Sequence, residues 1–84
     1  MNKKIIIKDL VKFLEREKKV PLKFKKDIEN FEYLRFNQID SIGLINFIFW
    51  IEKKYKINFK IKDKESQDFR NIGGLANIIY KKLN

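Results

Sequence analysis

The sequence predicts an all-α fold: three main helices in a small bundle, one or two short helices, and a long first loop, all within a single domain spanning residues 1–84. Three observations predict it. Apolar residues recur at three- and four-residue spacing in three separate segments. The one stretch with strand-like alternation has no second stretch to pair with, and an isolated strand leaves its backbone groups unpaired. Finally, 84 residues make one small domain, which buries only about 60% of its unfolded surface on folding.

The first helix is expected over Lys4–Lys18. Ile7, Leu10, Val11 and Leu14 form its apolar stripe, and Lys8, Lys12, Glu15 and Arg16 take the opposite side. Pro21 lies just beyond and disfavours continuation. From Val20 to Gln38 the apolar residues Phe24, Ile28, Phe31, Tyr33, Leu34 and Phe36 follow no clean period. A connection this long is uncommon in a small domain unless it packs or works. Its aromatics predict that it covers the core, with a short helix near Lys26–Phe31.

The second main helix is expected from Ser41 to about Lys56. At about 100° per residue, Leu44, Phe47, Ile48, Ile51 and Tyr55 fall on one face. Ile42, Ile45 and Phe49 form a second apolar stripe on nearly the opposite face, flanked by Asn46 and Lys53. One stripe suffices for folding, and 84 residues leave few elements to cover the other, so the second is expected to meet a partner. Trp50 lies between the two stripes, as a core-edge residue or a partner anchor.

Tyr55, Ile57, Phe59 and Ile61 alternate with Lys56, Asn58, Lys60 and Lys62, and are expected to form an extended connector leaning apolar side chains onto the core. A polar stretch, Asp63 to Asp68, follows. Phe69 and Ile72 then approach Gly73-Gly74, after which Leu75, Ile78, Ile79 and Leu83 mark the last helix. Lys81 and Lys82 at its end suit the negative pole of its dipole.

Composition narrows the function. Cysteine and histidine are both absent, which excludes disulfides, thiolate metal sites, Ser-His triads and histidine-bound zinc. The expected role is carrying, binding or scaffolding, not catalysis. Twenty Lys and Arg against 11 Asp and Glu give a net charge of +9, which invites a nucleic-acid reading. The lysines spread along the whole chain, however, and so argue for general solvation over a groove-reading element. Lys8 and Asp9 end the apolar run Ile5–Ile7 too early for a signal-peptide core, and Phe47–Ile51 is too short to span a bilayer. A cytoplasmic chain without membrane insertion is the expectation.

The run Asp40-Ser41-Ile42-Gly43-Leu44 stands at the mouth of the second main helix. Aspartate and serine are both favoured N-caps, so plain helix initiation accounts for the pair on its own. Leu44 stands where a capping box would place Glu or Gln. A phosphodiester on Ser41 would meet free backbone N–H groups and the positive end of the dipole.

Together with the apolar residues that follow it, this run resembles the attachment motif of acyl and peptidyl carrier proteins. Phe69-Arg70-Asn71-Ile72, then Gly73-Gly74-Leu75 and Ile78-Ile79, resembles the entry to that family's last helix. The likeness covers Leu34 to Leu83. It implies a carrier-protein-like bundle in which Ser41 accepts 4′-phosphopantetheine from coenzyme A through a phosphopantetheinyl transferase. Asp40 would assist that transferase. The arm's thiol would hold acyl or aminoacyl groups as thioesters, passed from a loading enzyme to a downstream acyltransferase or synthase. Ile42, Ile45, Asn46, Phe49 and Lys53 match the positions at which carriers meet partners.

One departure bears on the pathway. Asn46 and Lys53 occupy positions often acidic in that family, and only Glu52 is acidic along the helix body. Charge complementarity governs encounter and partner choice, so a specialised partner set is expected instead of a standard fatty-acid synthase. Two alternatives stay open: a small basic nucleic-acid-binding module, and a degenerate carrier serving as a docking subunit.

Overall fold

Asn2 opens the first helix, its side-chain carbonyl accepting the Ile5 N–H at 2.9 Å. The computed structural model describes residues 2–16 and 18–84. Among the described residues five α-helices succeed one another: α1 (Lys3–Leu14), α2 (Leu22–Lys25), α3 (Ser41–Tyr55), α4 (Ile61–Glu65) and α5 (Ile72–Leu83). Two 3-10 turns, Ile28–Asn30 and Gln67–Arg70, complete the set, and no strand occurs among the described residues. The fold is therefore an all-α bundle with three main helices, α1, α3 and α5.

α1 ends four residues before the expected Lys18. Glu15 leaves the helix and turns its carboxylate onto the next segment, accepting the Val20 N–H at 2.8 Å and pairing with Lys25 at 3.0 Å. Glu17, inside the expected span, lies outside the described residues. Ile6, Leu10 and Leu14 are the buried line of α1, whereas Ile7 and Val11 are only half-buried. The apolar run Ile5–Ile7 offers three consecutive candidates, and periodicity alone did not select Ile6.

α5 packs against α1 and against both 3-10 turns, and its first turn is built of small residues that let the turns approach. Gly73, Gly74 and Ala76 are all buried. A Cβ on Gly73 would fall 2.9 Å from the Glu29 carbonyl oxygen, and one on Gly74 would fall 2.6 Å from Asp68 Cα. Both 3-10 turns therefore seat directly on the α5 backbone. The glycine pair lies inside the first turn of α5, not ahead of the helix as its sequence position suggests. Asn71 caps that turn, accepting the Gly74 N–H at 2.6 Å.

α3 joins this pair through large side chains. Phe47 stacks on Phe13 with ring centroids 5.1 Å apart and meets the Tyr33 ring edge-on at 5.7 Å. At the other end the Tyr55 hydroxyl donates to Asp9 Oδ2 at 2.7 Å. Burial, then the Asp9 carboxylate, push the Tyr55 pKa up, so it stays a donor across the physiological range. Lys56 ends α3 in the left-handed region at φ 55°.

The alternating segment after α3 is the expected extended connector in part. Ile57 and Phe59 are buried, but Ile61 is 76% exposed and opens α4. The Lys60 N–H is accepted by Asp63 Oδ2, which holds the chain in a helical turn and takes Ile61 off the alternating register. The polar stretch beyond it is likewise helical. In the first loop, a 3-10 turn stands where a short helix near Lys26–Phe31 was expected, and α2 precedes it. Phe24, Phe31 and Phe36 form an aromatic cluster there, with Phe24 4.8 Å from Phe31 and 4.6 Å from Phe36.

Candidate functional site

The long loop before α3 is held at three points, and these fix where Ser41 stands. The Phe31 carbonyl accepts the Ile72 N–H at 3.2 Å. The fully buried Tyr33 donates its hydroxyl to the Phe69 carbonyl, and burial pushes the Tyr33 pKa up, so this donor too keeps its proton. Asn37 then takes a left-handed conformation (φ 56°), which asparagine tolerates better than most residues. That turn aims Gln38 inward. Its side-chain amide donates to the carbonyls of Leu14 (3.1 Å) and Lys18.

Gln38 is 6% exposed, the one buried polar residue of the core among the described residues. It closes the end of the loop onto the end of α1, where helix carbonyls lack intrahelical partners. Sequence reading passed over it. The neighbouring Asn37 signals a turn, but nothing in the sequence shows that Gln38 points into it.

Two residues later the helix begins, and Asp40 is its cap. Its Oδ1 accepts the Gly43 N–H at 2.7 Å and its carbonyl accepts the Leu44 N–H at 2.9 Å. Ser41 is the first helical residue, exposed, and its hydroxyl has no protein partner among the described residues. The Ser41 and Ile42 N–H groups lead the helix without intrahelical acceptors. Gly43 keeps this entry open: a Cβ there would lie 3.2 Å from both Asp40 Oδ1 and Ile39 Cβ.

Of the expected partner residues, Ile42, Ile45, Phe49 and Lys53 lie within about 120° of Ser41 around α3, and Asn46 stands at the far edge of that face, on the border of a groove. Ile42, Ile45 and Phe49 are 71%, 53% and 64% exposed, and Asn46 and Lys53 are exposed with them. Phe47, Ile51 and Tyr55 take the buried side of α3, with Leu44 and Ile48 half-buried. Trp50 is half-buried, its ring 4.9 Å from Phe13, so it is a core-edge residue.

A groove of about 700 Å³ opens between the end of α1, the Asn37–Asp40 loop and the first turns of α3, with Phe13, Arg16, Asn46 and Trp50 among its walls. It is not the Ser41 face. Gly43, Asn46 and Trp50 lie about 140–200° around α3 from Ser41. Among the described residues no three His, Cys, Asp or Glu side chains converge as metal ligands. No helix is long and apolar enough to cross a membrane among those residues. Comparison with protein-family models, curated proteins and solved structures returns no match to this chain.

Proposed function

We propose that this chain is a carrier module, with Ser41 as the attachment point of a 4′-phosphopantetheine arm and acyl or aminoacyl groups as its cargo. The observation that carries the reading is the separation of roles between neighbours. Asp40 performs the capping, so the Ser41 hydroxyl is free, exposed and set at the positive pole of a fifteen-residue helix. Plain helix initiation needs the aspartate but not the serine.

The residues suit such a group. The two leading N–H groups favour a phosphodiester beside them, and the exposed position of Ser41 leaves the approach open. In the transfer, Ser41 Oγ would bond to the phosphorus that carries pantetheine. The pyrophosphate bond of coenzyme A would break, adenosine 3′,5′-bisphosphate would leave, and the hydroxyl proton would pass to a base of the transferase. Asp40 keeps a second carboxylate oxygen available to that enzyme. Cargo chemistry belongs to the arm and to the enzymes that load and unload it.

Ile42, Ile45, Asn46, Phe49 and Lys53 would then be the face those enzymes meet. The nucleic-acid alternative has less behind it: exposed cations occur on α1, α2, α3, α4 and α5 alike, with no single groove-sized stripe.

Intact mass after incubation with coenzyme A and phosphopantetheinyl transferases of broad specificity tests the reading. Wild type is expected to gain one phosphopantetheine, and Ser41→Ala none. No gain on folded wild type, with every transferase active on a known carrier, overturns it.

A further inference from the structure

We propose that the exposed face of α3 docks on a partner protein whose apolar pocket is rimmed by carboxylates. The proposal rests on the carrier reading for the purpose of that face, and on the following geometry for its polarity. Ile42, Ile45 and Phe49 form an uncovered ridge spanning about 10 Å of helix. Lys53 and Lys56 continue it, falling within about 40° of Phe49 around the helix axis. Both are exposed, and neither joins an ion pair among the described residues.

No carboxylate of α3 is free to balance them. Glu52 is the one acidic residue of the α3 body; it is half-buried and accepts the Phe59 N–H at 2.9 Å. Lys54 is turned to the other side, 3.9 Å from Asp9 and over the Trp50 ring. The docking face is thus apolar at its centre and positive at its far end, where Lys53 and Lys56 stand, while Asp40 offsets the helix dipole at the Ser41 end. Interfaces commonly join an apolar centre to a charged rim, and like charges across the rim reject the wrong partner.

A second copy of the chain fits poorly. With two α3 helices parallel, Lys53 and Lys56 would face the same lysines; antiparallel, they would meet the single Asp40 carboxylate, whose Oδ1 is already engaged by the Gly43 N–H. Phosphates of a nucleic acid would satisfy the lysines but leave Ile42 and Ile45 without an apolar counterpart. A carboxylate-rimmed protein pocket answers both features.

The test uses the full chain, isotope-labelled for NMR, and two stapled helical peptides sharing one apolar face. One peptide carries glutamates around that face and the other lysines. The glutamate peptide is expected to shift Ile42, Ile45, Asn46, Phe49, Lys53 and Lys56, and the lysine peptide to bind at least about tenfold more weakly. Lys53→Glu/Lys56→Glu should weaken the glutamate peptide about tenfold or more. Lys4→Glu/Lys8→Glu, the same charge change on exposed α1 positions, should cost less than about twofold.

Equal losses in the two variants would reduce the effect to net charge and overturn the proposal. So would shifts centred on α1, tighter binding of a single-stranded oligonucleotide to the same α3 residues, or dimerisation through α3 in sedimentation. Ser41→Ala should bind the glutamate peptide as wild type does. Peptide docking on α3 without Ser41 modification would therefore remove the carrier reading and keep the face. Modification without charge preference would do the reverse.

Discussion

The side-chain amide of Gln38 donates to the Leu14 carbonyl at 3.1 Å, joining the end of the long loop to the last residue of α1. Gln38→Leu keeps the volume and removes the donor, leaving the buried Leu14 carbonyl and the part-buried Lys18 carbonyl short of a partner. The expected loss is about 1–3 kcal/mol of unfolding free energy, read by urea denaturation. Because the tie sits two residues before the Asp40 cap, amide exchange at Ser41, Ile42 and Gly43 should also speed up more than at α5.

Gly74→Ala tests the close seating of the second 3-10 turn on α5. The new methyl would fall 2.6 Å from Asp68 Cα, a backbone atom with no rotamer to yield. Overpacking of this kind costs about 1–3 kcal/mol, more than the roughly 1 kcal/mol that alanine gains over glycine in a helix. Net destabilisation is expected in thermal melts. Stabilisation would mean that the turn lifts away without cost.

The helices were legible because their periods are strong; the seams between them were not. Phe47, Ile51 and Tyr55 are buried, and Ile42, Ile45 and Phe49 are exposed, as a 3.6-residue period divides them. The same logic faltered on Ile5–Ile7, where every register offers an isoleucine. Ile61 also left its alternating pattern, because a local Asp63–Lys60 hydrogen bond outweighed it. The long loop was expected to pack, and it does, but its anchors are single long-range bonds: Tyr33 to Phe69 and Gln38 to Leu14. Such bonds leave no period. At the candidate site the Asp-Ser pair was visible, whereas its division into cap and free hydroxyl depends on which residue takes extended backbone, and that residue is Asp40.

Acid should destabilise the fold through two carboxylates. The Lys25 contact, then the Val20 N–H, hold Glu15 below its ordinary 4.5, and Lys82, then the Lys60 N–H, hold Asp63 below 3.8. A pKa lower in the folded state than in the unfolded state makes a contribution fully present above the unfolded value and lost as pH falls through the folded one. Stability should therefore hold above about pH 5 and decline steadily below about pH 4.5. Asp63→Asn should flatten the lower part of that decline in urea melts taken across pH. An unchanged slope would mean that the Lys82–Asp63 contact at 2.8 Å is lost to solvent.

Asp40 carries two separable roles, and two substitutions part them. Asp40→Ala removes the oxygen that accepts the Gly43 N–H and should cost about 1 kcal/mol. Asp40→Asn keeps a capping oxygen and should leave stability within about 0.5 kcal/mol of wild type. If the carboxylate also serves a transferase acting on Ser41, the asparagine variant should be modified far more slowly despite its intact fold, with the alanine variant no faster. Mass-spectrometric rates set beside melting curves read both quantities. Wild-type rates in Asp40→Asn would confine Asp40 to capping and leave Ser41 to be recognised by its exposure and by the ridge from Ile42 to Phe49.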